Sequence, residues 1–146
     1  MTAPHISPEV FASLAPTTLN QLEAYGFRRA TDQEEITSTF ATIVFIGEHV
    51  GFVFSFDVRD QCVDAQVVLV EDGKIRERYQ GGYSSSLFTY LQRHTGYRGG
   101  VKHGAAPAAG AQTLQSEVHR LVQSQLDLLL QYGQALLSDP PDWTPG

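Results

Sequence analysis

The chain has 146 residues, enough to bury a core of its own without disulfide or metal cross-links. Its formal charge of −6 and its pI near 5.2 exclude a typical nucleic-acid binder, because phosphate contacts require a basic surface. Cys62 is the only cysteine, so an internal disulfide is excluded and a reducing, cytoplasmic compartment is expected.

The N-terminal part of the chain predicts helices. Residues 1–5 lack a basic or apolar leader pattern, and no apolar run is long enough to span a bilayer. Ser7 before a proline is typical of a helix start. Pro16 interrupts the pattern, so we expect either two short helices, the second over 17–25, or one kinked helix that ends at Gly26. The apolar positions of this part are Val10, Phe11, Leu14, Leu19, Leu22 and Tyr25.

Residues 36–79 predict a four-stranded antiparallel meander with its strands in the order 1-2-3-4. Residues 28–35 precede it as a charged connection, and the first strand covers 36–46. The second and third strands alternate strictly, which predicts one dry and one wet face. The dry face carries Phe52, Phe54, Phe56, Val63, Ala65, Val67 and Leu69, whereas Ser55, Asp57, Asp64, Gln66, Val68 and Val70 point the other way. Asp72-Gly73 predicts a tight hairpin turn to a fourth strand at 74–80.

The C-terminal half predicts two further helices. Ser84-Ser85-Ser86 offers N-caps for a middle helix over 85–94, and the glycine- and alanine-rich residues 96–111 are interpreted as a mobile loop. A long helix over 113–137 has a wide apolar face, and residues 139–146 form a tail. Either the sheet and the N-terminal helices cover that face, or a second protein chain does, which would make a homodimer through this helix.

These patterns predict a single α+β domain over residues 1–146. It is a four-stranded antiparallel meander covered by N-terminal helices, a middle helix and a long C-terminal helix. The sequence carries no recognisable catalytic, cofactor-binding or metal motif. Its five histidines lack ligand spacing, and Cys62 is interpreted as a structural thiol. Asp57, Asp60 and Asp64 straddle a turn, where aspartates are favoured for local hydrogen bonds.

Three stretches of the chain resemble those of small bacterial α+β immunity proteins of contact-dependent or polymorphic toxin systems. They are Leu22-Glu23-Ala24-Tyr25-Gly26-Phe27, the meander with Asp57-Val58-Arg59-Asp60 and Val67-Val68-Leu69-Val70, and the final helix from Leu126 to Asp139 with its Tyr-Gly-x-x-Leu-Leu-x-Asp end. The resemblance implies a protein without catalytic activity that binds and neutralises a cognate toxin through an acidic surface. It assigns no functional residue.

The order of helix, sheet and helix is also similar to that of type III secretion chaperones, which implies binding of an effector protein. A third alternative is an enzyme or a small-ligand protein in which the Phe52, Phe54 and Phe56 face and several tyrosines line a pocket. We favour the protein-binding interpretation, with no cofactor, no nucleic acid and no membrane, and with a basic toxin or effector as the partner. The predicted partner-binding residues are Ser55, Asp57, Asp60, Asp64, Gln66 and Trp143.

Overall fold

The computed structural model describes residues 5–48, 50–75, 84–86 and 114–132, which form an α+β fold and confirm the predicted class. Two α-helices are described, α1 (Pro8–Leu19) and α2 (Leu114–Tyr132), with 3-10 helices at Asn20–Tyr25 and Thr31–Gln33. The strands are β1 (Arg28–Arg29), β2 (Phe40–Ile46), β3 (Val50–Asp57), β4 (Cys62–Glu71), β5 (Lys74–Ile75) and β6 (Ser84–Ser86). Within these residues, no helix combines the length and the apolar character that a membrane crossing needs.

The sheet is antiparallel, and its long strands β2, β3 and β4 follow one another in chain order. The predicted meander is therefore confirmed. Asp72 and Gly73 both have positive φ angles, 54° and 77°, which is the geometry of a tight hairpin turn and confirms the prediction from the Asp-Gly pair. The fourth position of the meander is shared, because β5 and β6 both pair with β4.

The main core lies between one face of the sheet and the two α-helices. Phe52, Phe54 and Phe56 are each 0% exposed, which confirms the predicted dry face. The Phe11 ring of α1 stacks on Phe56 with their centroids 5.0 Å apart, and Phe27 packs against Phe52 at 5.1 Å. Burial of this apolar area is the principal stabilising term of the fold.

α1 begins as predicted, since the Ser7 hydroxyl accepts a hydrogen bond from the Val10 N–H at 3.2 Å. The helix continues through Pro16 and passes directly into the 3-10 helix, which ends at Gly26 with a φ of 90°. Tyr25 departs from the apolar stripe to which the sequence assigns it, because the residue is 46% exposed. The chain reverses at Gly26, so Phe27 rather than Tyr25 packs onto the sheet.

α2 packs against α1 and β4. The sheet and the N-terminal helix therefore both cover its wide apolar face. Leu126 and Leu129 are each 0% exposed, and Val118 and Val122 are buried with them. Of the predicted range 113–137, residues 113 and 133–137 lie outside the described residues.

A second, smaller core lies on the opposite face of the sheet. It consists of Ala30, Val44, Ile46 and Val70, with Val53 and Ile75 packed against it. The prediction that Val68 and Val70 point to a wet face is therefore wrong, since they are only 2% and 6% exposed. Strict alternation places a side chain on a face, but it does not reveal that a neighbouring segment covers part of that face.

The predicted charged connection at 28–35 is instead an edge of the sheet. Its residues Arg28 and Arg29 pair with β2 as β1, and the 3-10 helix at Thr31–Gln33 follows. The backbone contacts β2 again at Glu35, whose carbonyl oxygen accepts a hydrogen bond from the Thr42 N–H at 2.8 Å. The Glu34 carboxylate accepts two hydrogen bonds from Arg29, at 2.9 and 2.8 Å, and one from the Val44 N–H at 3.0 Å. Hydrogen bonding of Arg29 to Glu34 and the negative charge of Glu34 raise the pKa of Arg29, whereas burial opposes this shift. A side chain thus accepts the hydrogen bond of one backbone N–H at the edge of β2.

The predicted start of the middle helix at residue 85 is wrong, because Ser84–Ser86 form β6. Their backbone pairs with Gln66, Val67 and Val68 of β4, which fixes these three residues in an extended conformation. Four predicted segments lie outside the described residues in whole or in part: the rest of the fourth strand (76–80), the rest of the middle helix (87–94), the loop (96–111) and the tail (139–146).

Candidate functional site

Four of the six predicted partner-binding residues lie on the outer side of β3 and β4, opposite the main core, and a fifth, Asp60, lies in the turn that joins these strands. We call this surface, made of Ser55, Asp57, Asp60, Asp64 and Gln66, the acidic face. The pairing of β3 with β4 sets Ser55 directly across from Asp64, and residues opposite each other in an antiparallel pair share a face. The sixth predicted residue, Trp143, lies outside the described residues.

The turn between β3 and β4 holds the carboxylates in place. An Asp57 Oδ1 atom accepts a hydrogen bond from the Asp60 N–H at 3.0 Å, so the local bonding expected of an aspartate in a turn is present. Asp57, Asp60 and Asp64 are all exposed, whereas Ser55 and Gln66 are half-buried. The acidic face therefore presents three carboxylates to the solvent above a polar base.

Cys62 lies among these carboxylates and is half-buried. Burial raises the pKa of its thiol from 9.0 to about 11, with further contributions from the charges of Asp64, Asp60 and Asp57. Because both effects disfavour the thiolate, the thiol is protonated at neutral pH. An activated cysteine nucleophile needs the opposite shift.

Gln61 connects the acidic face to the N-terminal segment. Its side-chain oxygen accepts a hydrogen bond from the Ile6 N–H at 2.9 Å, and its side-chain nitrogen donates to the carbonyl oxygens of Ile6 at 3.0 Å and Val58 at 2.8 Å. Sequence reasoning missed this contact, and no signal in the sequence identifies it, because Ile6 and Gln61 are 55 positions apart.

The outer face of the sheet changes character along the strands. At the end near Asp57 the side chains are polar, apart from a half-buried Phe40 that lies directly across from Asp57 on β2. At the other end lies the second core. An aromatic ring beside carboxylates suits a basic side chain, whose apolar stem packs on the ring while its charged end reaches the carboxylates.

Two other kinds of site were considered, a metal centre and an aromatic pocket. In ranges 5–48, 50–75, 84–86 and 114–132, no three His, Cys, Asp or Glu side chains come together as a metal site. The Phe52, Phe54 and Phe56 rings, which would line the aromatic pocket of the third alternative, are fully buried against other side chains.

Comparison with protein-family models, with curated proteins and with solved structures finds no match for this chain.

Proposed function

We propose that this protein is a non-catalytic protein-binding module that uses the acidic face to hold a basic partner. The observation that carries the proposal is that Asp57, Asp60 and Asp64 are all exposed on one side of β3, β4 and the turn between them, where the register sets Ser55 across from Asp64. Three carboxylates on one surface attract a cationic partner, accelerate its association and oppose an acidic one. In keeping with the single cysteine, we place the protein in a reducing cytoplasm.

The resemblance to immunity proteins makes a basic toxin our first choice of partner. A secreted effector is the alternative, as implied by the similarity to type III secretion chaperones. An aromatic ligand pocket is less favoured, because the packing of Phe11 on Phe56 and of Phe27 on Phe52 fills that side of the sheet.

The test removes the charges of the acidic face without disturbing its fold. Asn at positions 57, 60 and 64 keeps a side-chain oxygen, so Asp57→Asn retains the acceptor for the Asp60 N–H. The wild-type chain and this triple variant are used to capture partners from cells of the source organism, and captured proteins are identified by mass spectrometry. Each exposed ion pair contributes about 0.2–1 kcal/mol, so we expect the triple variant to bind the partner roughly 3- to 160-fold more weakly.

The matched control removes three exposed charges elsewhere, with Glu23→Gln, Asp32→Asn and Glu35→Gln. It has the same net charge as the test variant and should bind the partner like wild type. If both triple variants bind equally well, the acidic face is not the interface. The captured protein also decides between the two partner classes: a toxin stops growth when expressed alone and is neutralised by this chain, whereas an effector is secreted and is not.

A further inference from the structure

An open groove of about 620 Å³ lies on the outer face at the end of the sheet remote from the acidic face. Three turns form its walls. Each turn contributes a glycine, so part of each wall is backbone without a side chain: Gly26, Gly47 and Gly73. Ile46 and Val70 provide its apolar base. Its volume lies in the range of roughly 300–1,000 Å³ that is typical of small-molecule sites.

The apolar base depends on a further glycine in β3. A Cβ atom at Gly51 would lie 3.1 Å from a methyl carbon of Ile46 and 3.1 Å from one of Val70. The two side chains therefore come together over the backbone of Gly51, which closes the groove from below. Because these side chains approach the Gly51 backbone so closely, a residue with a side chain does not fit at this position.

The groove contains charges of both signs. The Arg28 guanidinium crosses the outer face from β1, and its Nη2 atom lies 3.4 Å from the position that a Cβ of Gly73 would occupy. Asp72 lies in the same turn as Gly73, and Glu48 adds a second carboxylate at the rim. Within the described part of the chain, the side chains of Arg28 and Asp72 form no ion pair or hydrogen bond, although both line this groove.

We propose that the groove binds a small zwitterion, with its carboxylate on Arg28 and its ammonium group on Asp72. A cation and an anion that share one groove without pairing leave both charges available to a ligand that carries the complementary pair. A free amino acid and a short peptide with both termini charged each carry this pair of groups. This site is separate from the acidic face, and the proposal does not depend on a protein partner.

The experiment follows the backbone amide signals of Gly26, Gly47 and Gly73 by nuclear magnetic resonance as ligands are added to the full chain. Glycine represents the free amino acid, and triglycine represents the peptide. N-acetylglycine and glycinamide each carry only one of the two charges, as do the blocked forms of triglycine. We expect glycine or triglycine to shift the three signals at millimolar concentration and the singly charged compounds to bind several-fold more weakly.

Two variants test the assigned residues. Arg28→Gln and Asp72→Asn should each weaken binding roughly tenfold, because each removes one charged hydrogen-bonding partner. Asn tolerates the left-handed backbone at position 72, so the turn is retained. The matched controls Arg59→Gln and Asp32→Asn alter exposed residues that do not line the groove and should bind like wild type.

Selective binding of glycine identifies a free amino acid as the ligand class, and selective binding of triglycine identifies a peptide. The proposal is overturned if neither compound shifts the glycine signals, if the singly charged compounds bind as well, or if both groove variants bind like wild type. None of these outcomes affects the proposed role of the acidic face, which is measured by capture of a protein.

Discussion

Gln61 makes three side-chain hydrogen bonds while its backbone has a φ of 50°, a conformation that residues other than glycine rarely adopt. A left-handed residue with a side chain costs about 1–2 kcal/mol, and three hydrogen bonds contribute about 1 kcal/mol each. The hydrogen bonds therefore outweigh the backbone strain, which explains why glutamine rather than glycine occupies the end of this turn. The same residue holds Ile6 beside the acidic face.

Cys62 allows a prediction about pH. Since the pKa of its thiol is raised from 9.0 to about 11, the thiolate fraction at pH 8 should be roughly a hundredfold lower than in the unfolded chain. We expect alkylation of native protein at pH 8 to be slower than alkylation in urea by about ten- to a hundredfold, since the higher nucleophilicity of a high-pKa thiolate offsets part of the lower fraction, and to accelerate as the pH rises towards 11. The folded state retains this proton longer than the unfolded state, so stability should also decrease between pH 9 and 11.

The control for this prediction is Asp64→Asn, which removes the largest charge contribution but leaves the burial of the thiol unchanged. Its alkylation at pH 8 should be faster than that of wild type and still slower than that of the unfolded chain. Equal rates for native and unfolded wild-type protein would show that the thiol is accessible and that its pKa is unperturbed.

At the scale of the elements, α2 carries an ion pair that the sequence did not reveal. Glu117 is 5% exposed, and its carboxylate pairs with the guanidinium of Arg120 one turn later. Replacing Arg120 with methionine would leave a buried carboxylate without this partner. We expect Arg120→Met to lower the free energy of unfolding by about 2–3 kcal/mol, less than for a fully buried pair because the arginine side chain is 27% exposed.

Urea denaturation measures this effect, and the double variant Glu117→Leu/Arg120→Met provides the decisive comparison. Removing both charges should recover at least half of the lost stability, because no uncompensated charge stays buried. Arg59→Met, at an exposed position, should change stability by less than about 0.5 kcal/mol. A double variant that is less stable than Arg120→Met would show that Glu117 stabilises the fold by other contacts.

Elements with a strong local pattern could be predicted from the sequence. The alternating phenylalanines of β3, the Asp72-Gly73 turn and the cap at Ser7 each depend on residues a few positions apart, and all are present. The placement of Ser55, Asp57, Asp64 and Gln66 on the outer side of the sheet also followed from alternation, whereas Asp60 lies in the turn between β3 and β4. Edges could not be predicted, because β1 and β6 are defined by pairing with distant strands. For the same reason, the sequence gives no indication of the groove, whose walls come from three separate turns.

At the scale of the whole molecule, two cores share one sheet, since β2 and β4 place side chains in both. Loss of either core should therefore weaken the same strands and unfold the molecule in one transition. We expect Phe56→Ala in the main core to lower the free energy of unfolding by about 3–5 kcal/mol, and Ile46→Ala in the second core by about 2–5 kcal/mol. Urea denaturation of both variants, followed at amides of α1 and of β4, should give coincident curves with the wild-type slope. If Ile46→Ala released β4 at a lower urea concentration than α1, the second core would be an independently unfolding unit.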